Sequence, residues 1–286
     1  MEHRNVRTDL AVEARESITH LEGDLRGIRV EEYEEQVSEI RVTKVIIESK
    51  NAAKSMGKAM GTYITLEAPR LIEGDEDYHR EVSVEIAKHM KQMIPNINTE
   101  QSLLIVGLGN QDVTADALGP RVIDNLFITR HMLREYGTSA YHQDKMHSIS
   151  SIVPGVMAKT GMETAEIIKG VVEETKPNAI IVIDALAARS VRRLNRTIQI
   201  TNTGIHPGSG VGNHRNALTK ESLGVLVVAI GVPTVVDAAT IVKEGNGEAR
   251  NDFYNMYVTS KDIDETIKRL SFTISEAINM AFSEVS

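Results

Sequence analysis

The sequence predicts an α/β protein, with a mostly parallel sheet covered by helices on both faces and a β-rich N-terminal extension. Three observations predict it. From Gln101 onward, continuous apolar runs such as "SLLIVGLGN", "NAIIVIDALAAR" and "GVLVVAIGVP" alternate with segments of helical period, as strands buried on both faces do. Before residue 100 the runs instead alternate apolar and polar residues, as half-buried antiparallel strands do. The chain has 286 residues, 41% of them hydrophobic, enough for a large core.

Taken in order, Leu10 to Leu25 carries a weak helical period, and "EEYEEQ" at 31–36 reads as a solvated charge cluster. "VSEIRVTKVIIES" (37–49) and "GTYITLEA" (61–68) are the expected paired antiparallel strands. A helix is expected over 76–94, stopped by Pro95 and the turn-rich "PNINTE". The α/β part then reads as a strand over 102–110, a helix from Pro120 to Tyr136 and a strand over 148–155. Next comes a helix opening at "TGMETAEIIKGVVEE", where Thr160 and Glu163 have capping-box spacing. Strands over 178–189, 196–201 and 224–233 succeed it, then a helix over 234–242. The terminal helix carries Ile263, Ile267, Leu270, Ile274 and Ile278 at three- and four-residue intervals. The expected organisation is one α/β unit over 10–286, with 10–100 as the extension and 101–286 as the core.

Composition excludes several classes of function. The net charge of −8 comes from 32 basic and 40 acidic residues without long blocks of either sign, so no direct nucleic-acid partner is expected. With no cysteine there are no disulfides, thiolate metal sites or cysteine nucleophiles, which suits a reducing, cytoplasmic setting. "MEHRNVRTDLAVEARE" lacks an apolar signal core, and no run approaches the ~18 apolar residues of a membrane span, so neither export nor a membrane partner is expected. No tryptophan and 4% aromatic residues leave few stacking platforms for bases or sugars.

In open parallel sheets, reacting groups collect beyond the C-terminal ends of the strands. Asp116, in "GLGNQDVTADALGP", lies in the loop after one strand, and Asp184 ends the strand "IIVID". If those strands are neighbours, two carboxylates face one crevice that holds both charges only at high energy, and one proton is shared. Such a pair can act as base toward water and acid toward a leaving amine. Either aspartate alone is more simply a helix N-cap. Asp112 and Asp237 also lie near strand ends and read as caps or loop residues, although Asp112 is close enough to perturb Asp116.

Other motifs are weaker. Gly107 and Gly109 begin a dinucleotide-type loop, but the third glycine would fall at Asp112, whose charge repels a pyrophosphate. "TGIHPGSGVGNHR" lacks the ending of a P-loop, so its glycines suit a tight loop beside the site, with His206 packed there or touching substrate. A metal held by His206, Asp116 and Asp184 is chemically possible, though no spacing enforces it. No G-x-S-x-G stands in a strand–turn–helix context; "GSG" at 208–210 lacks the flanking pattern.

Longer motifs carry a resemblance. "RTDLAVEA", "LIVGLGN" with "TADALGP", "IVPGVM", "GMETAEIIKGVV", "IDALAAR", "TIQI" with "TGIHPGSGVGN", and "AIGVPTVVDA" stand in the order and spacing of the germination proteases of spore-forming bacteria, from Arg7 to about Val242, and the match resumes in "MYVTSKDIDETI". The resemblance implies an endopeptidase that degrades small acid-soluble spore proteins at germination, an atypical aspartic peptidase whose catalytic pair falls on Asp116 and Asp184. It implies a phosphorylase/hydrolase-like fold similar to that of hydrogenase maturation endopeptidases, which keeps a metal-guided alternative open. A non-catalytic Rossmann-like binding module is the further alternative. Gly107, Gly109, Asn110 and His206 become substrate-binding or loop-supporting residues. No cofactor and no metal are expected, the setting is the forespore and spore core, and a homotetramer is implied.

The resemblance also gives a meaning to "TDLA" at Thr8 to Ala11. Members are made as inactive precursors, and their substrates are cut between an acidic and an apolar residue followed by alanine. The implied self-cleavage bond is Asp9–Leu10, which makes 1–9 a propeptide, and a shared-proton dyad suits activation at falling pH. The chain departs from the family pattern in three places: a short polar connection, "KEGNGEARNDFYN", where longer members carry an extra segment; an acidic Asp112 where members are neutral; and Ala158–Lys159 where small residues are usual.

Overall fold

A computed structural model of the chain describes residues 8–20, 26–35, 38–96, 101–137, 146–206, 216–245, 253 and 256–283. The order along the chain is α1 (Ala11–His20), β1 (Ile28–Glu35), β2 (Ile40–Ile47), α2 (Lys50–Met56), β3 (Gly61–Glu67), α3 (Glu76–Met93), β4 (Ser102–Gly107), α4 (Leu118–Ile123), α5 (Arg130–Tyr136) and β5 (Ser148–Ile152). It continues with α6 (Met157–Thr160), α7 (Thr164–Thr175), β6 (Ala179–Ala188), β7 (Thr197–Thr201), α8 (Lys220–Leu223), β8 (Leu226–Asp237), α9 (Ala238–Glu244), β9 (Tyr257–Val258) and α10 (Ile263–Phe282). Most of the expected propeptide, residues 1–7, lies outside the described residues, as do 207–215 of the glycine-dense loop with its "GSG", and most of the 243–255 connection.

The strands form one mixed sheet in the order β1-β2-β3-β7-β8-β6-β4-β5, with β9 on β8. Its core, β8-β6-β4-β5, is parallel, as the buried apolar runs predict. The extension is antiparallel throughout, and β3 joins the core through β7, which runs antiparallel to β8. The whole sheet is therefore more mixed than the expectation of a mostly parallel one, because the N-terminal hairpins extend the core sheet itself. Helices cover both faces. α3, α4 and α10 pack on one side around Ile105, Ile181, Ile200, Val228, Leu270 and Ile274. Ile168 of α7 packs on the other with Leu104, Val106, Ile180 and Val182. Among the described residues no helix is long and apolar enough to cross a membrane.

Several elements differ locally from their expectation. "EEYEEQ" is largely strand: β1 is the sheet's outer strand, and its glutamates face solvent as an edge strand requires. The expected 120–136 helix is two short ones, α4 and α5, because the chain turns at Asn125–Ile128, where the Phe127 amide donates to Asn279 of α10 at 3.0 Å. The capping box at α7 is formed by Glu163 and Glu166, while Thr160 closes the short α6. β8 runs on through "VPTVVD" to Asp237, so the next helix is α9 at 238–244 and not 234–242, and Asp237 stands at its N-terminus.

Candidate active site

The parallel core has its switch point between β4 and β6, since the chain leaves β4 toward β5 on one side and leaves β6 toward β7 and β8 on the other. β4 and β6 are direct neighbours in parallel register, Gly107 opposite Ile183, and the Leu108 amide donates to the Ile183 carbonyl at 2.8 Å. Asp184 is the next residue on β6. The two strand ends that carry Asp116 and Asp184 therefore open on one crevice.

Local sequence fixes each carboxylate. Gly107 lies so close to α4 that a Cβ there would be 2.4 Å from the Gly119 carbonyl oxygen, so the loop and the next helix pack backbone to backbone. Gly109 has φ +118°, and a Cβ would stand 1.9 Å from the Asp116 carbonyl oxygen; only glycine lets the loop curl onto the residue it holds. The Asn110 amide then donates to Asp116 Oδ2 at 2.8 Å. That loop amide thus serves the chain's own carboxylate, which removes it from the anion-binding role of a dinucleotide loop. The segment is pinned from β8, whose extra residue in the β6–β8 pairing, Thr234, donates its hydroxyl to the Ala115 carbonyl at 2.6 Å. Asp184 is buried at 7% exposure, and its Oδ1 accepts from the Ala185 amide at 2.9 Å. Asp116 is partly exposed.

Both aspartates line a cavity of about 590 Å³, together with Gly109, His206, Lys58, Gln199 and Gly231, and with Asp9. Asp9 lies along β6: its amide donates to the Ala187 carbonyl at 3.2 Å, and its Oδ2 accepts from the Ala187 amide at 3.0 Å. Leu10 is fully buried against Leu186, Ala188, Val236 and Val12. Gln199 brackets this residue, with Nε2 donating to the Asp9 carbonyl at 3.2 Å and Oε1 accepting the Ala11 amide at 2.7 Å. Lys58 Nζ donates to the carbonyls of Thr8 and Asp9 at 3.2 and 2.8 Å. Burial pushes the Lys58 ammonium below its ordinary range, against the charges of Asp9 and Glu13, which favour it.

The residues just after "TDLA" anchor it. Glu13, fully buried, accepts from the amides of Arg189 and Ser190 at 2.8 and 3.1 Å and from Thr8 Oγ1. Arg193, 2% exposed, reaches Glu13, Glu16 and Glu67 and so ties α1 to β3. Residue by residue, no sequence signal marks Lys58, Gln199, Glu13 or Arg193.

His206 is exposed at the cavity rim, and among the described residues no three His, Asp or Glu side chains converge closely enough to hold a metal ion, so the His206–Asp116–Asp184 metal site gains no support. Asp112 is exposed and paired with Lys159, so two of the expected departures from the family pattern form one ion pair on the surface.

Comparison with known proteins gives one consistent result. A family model described as germination protease matches residues 5–246. Curated proteins named germination protease include one from Caldanaerobacter subterraneus subsp. tengcongensis, 44% identical, covering 96% of this chain and 94% of that protein. One from Clostridium perfringens is 40% identical over 97% and 95%. One from Bacillus mycoides is 47% identical over 84% of this chain and 65% of its own length.

Proposed function

The chain belongs to the germination protease family, a family of peptidases, and on that premise we propose that it is a self-processing endopeptidase with a carboxylate dyad of Asp116 and Asp184. It is made as a precursor, cuts its own Asp9–Leu10 bond to release residues 1–9, and at germination cuts small acid-soluble spore proteins after an acidic and before an apolar residue. The observation that carries this reading is that Asp9, Asp116 and Asp184 line one cavity, with Asp9 hydrogen-bonded to Ala187 of β6 through its backbone and its side chain.

In the reaction one carboxylate is ionised and its partner protonated, the state favoured when two acids share a crevice. The ionised group takes a proton from water as the water oxygen bonds to the Asp9 carbonyl carbon. The carbonyl electron pair moves onto its oxygen. On collapse the C–N bond breaks, and the Leu10 nitrogen takes the proton of the partner acid. The products are a carboxyl group on Asp9 and an amine on Leu10. The Asp9 side chain, held by the Ala187 amide and near the Lys58 ammonium, accounts for an acidic residue before the cut. The apolar wall of Leu186, Ala188 and Val236 accounts for leucine after it.

The setting is the forespore and spore core, with a tetrameric assembly, for which light scattering of the precursor is the check. The function itself is tested by acid incubation of the wild-type and Asp116→Asn precursors, with intact mass as readout. The wild type loses residues 1–9, and the variant stays whole; shortening of the variant at the wild-type rate overturns the reading.

A further inference from the structure

We propose that Lys58 and Gln199 are further catalytic residues, which together grip the oxygen of the peptide carbonyl that is cut and stabilise the negative charge it gains. The inference rests on the reading of Asp9–Leu10 as the cut bond, and on contacts that the dyad does not involve.

The Asp9 carbonyl oxygen accepts two hydrogen bonds, from Lys58 Nζ at 2.8 Å and from Gln199 Nε2 at 3.2 Å. One donor is cationic and the other neutral. Addition of water turns that oxygen from a weak dipole end into an alkoxide, so both donors strengthen as the tetrahedral centre forms, and a cation in a partly desolvated site strengthens most. Pre-placed donors of this kind act on the transition state more than on the bound peptide, which is what lowers a barrier.

The sheet register places Gln199 in line with Asp184. Gln199 on β7 and Asp184 on β6 are both opposite Gly231 of β8, so the three residues form one row across three adjacent strands. Residues in one row project from the same face of a sheet. Two strand spacings of about 4.8 Å separate the backbone positions of Gln199 and Asp184. The residue between them is glycine, and a Cβ there would meet the Leu186 side chain at 2.4 Å. The Leu186 side chain thus lies over the glycine, between the Gln199 and Asp184 positions. Gln199 cannot turn its amide around without losing a partner, because its Oε1 is held by the Ala11 amide at 2.7 Å. Lys58 arrives from the opposite direction, out of the turn after α2, whose Gly57 closes the helix in the left-handed conformation. The N-terminal extension thereby contributes a group to a site built largely by the α/β core.

The test compares the wild-type precursor with Lys58→Met and Gln199→Met, each checked for an unchanged melting temperature, by the first-order rate of Asp9–Leu10 cleavage in intact mass. A peptide containing Thr-Asp-Leu-Ala is then supplied to the processed enzymes to separate kcat from KM. The expected result is a fall of about a hundredfold or more in rate for Lys58→Met, carried by kcat, and a smaller fall for Gln199→Met. Lys58→Ala is expected to regain cleavage when propylamine is added, since a free ammonium can enter the space left by the side chain. Folded variants that cut within about threefold of wild type, or a loss carried by KM alone, overturn the clamp while leaving the dyad in place. If Lys58→Met does not fold, the decision passes to Gln199→Met and to the amine rescue. A wild-type chain that does not cut at Asp9–Leu10 overturns the underlying reading and the clamp with it.

Discussion

Asp9 is bonded to Ala187 through both its backbone and its side chain: its amide donates to the Ala187 carbonyl, and its carboxylate accepts from the Ala187 amide. Ala187 stands three residues beyond Asp184 on the same strand. The Asp9–Leu10 segment is therefore held by the strand that delivers a candidate catalytic carboxylate.

Replacement of Asp184 by Asn keeps its size and removes its charge. Cleavage of the Asp9–Leu10 bond is expected to fall by a factor of roughly a hundred or more, the usual contribution of a positioned acid or base. Rates measured from intact mass, alongside an unchanged melting temperature, check it.

Gly109→Ala tests the loop that holds Asp116. The added methyl would stand 1.9 Å from the Asp116 carbonyl oxygen at a φ of +118°, so the loop must shift. A loss of about 1–3 kcal/mol in stability is expected, together with slower cleavage, because strain relieved by moving Asp116 also moves its carboxylate. Chemical denaturation and the cleavage rate are the two readouts.

Glu13 carries the attachment of the N-terminal segment. Glu13→Ala leaves Arg193 without one of its buried anionic partners and the Arg189 and Ser190 amides without an acceptor. Breaking a buried pair from one side costs about 3–5 kcal/mol, so the variant is expected to be markedly less stable in urea, with residues 11–20 exchanging hydrogen faster.

Acid loosens the same attachment. Burial pushes the Glu16 carboxyl up, but the Arg193 hydrogen bond and the charges of Arg193, Arg192 and Arg189 outweigh it and hold the group below its ordinary value of 4.5. A carboxylate whose folded value is depressed adds stability that is fully present above its unfolded value and is lost as pH falls through the folded one. Protection of α1 in hydrogen exchange is therefore expected to weaken below about pH 4.5. Glu16→Gln should be less protected at neutral pH and less sensitive to acid.

The dyad candidates are legible in the sequence because strand ends show as breaks in apolar runs: "IIVID" stops at Asp184, and "LIVGLGN" stops before the Asp116 loop. The adjacency of β4 and β6, on which the pairing of the two carboxylates depends, is met by the register of Gly107 with Ile183. Gln199 gives no such signal. Its part depends on an antiparallel β7 placing it opposite Gly231, a pairing that no local pattern encodes. Lys58 is hidden for the same reason, since it lies just beyond a short helix in the extension and meets Asp9 only through the fold. Asp112 misleads in the opposite direction: proximity in sequence to Asp116 suggests an electrostatic effect, yet its carboxylate turns outward to Lys159.

The most direct measurement is the intact mass of the precursor before and after brief acid incubation, for wild type and Asp184→Asn in parallel. The expected result is a wild-type product that begins at Leu10 and a variant that keeps residues 1–9. A wild-type chain cut elsewhere, or a variant shortened at the same rate, would contradict the dyad and the site built around it.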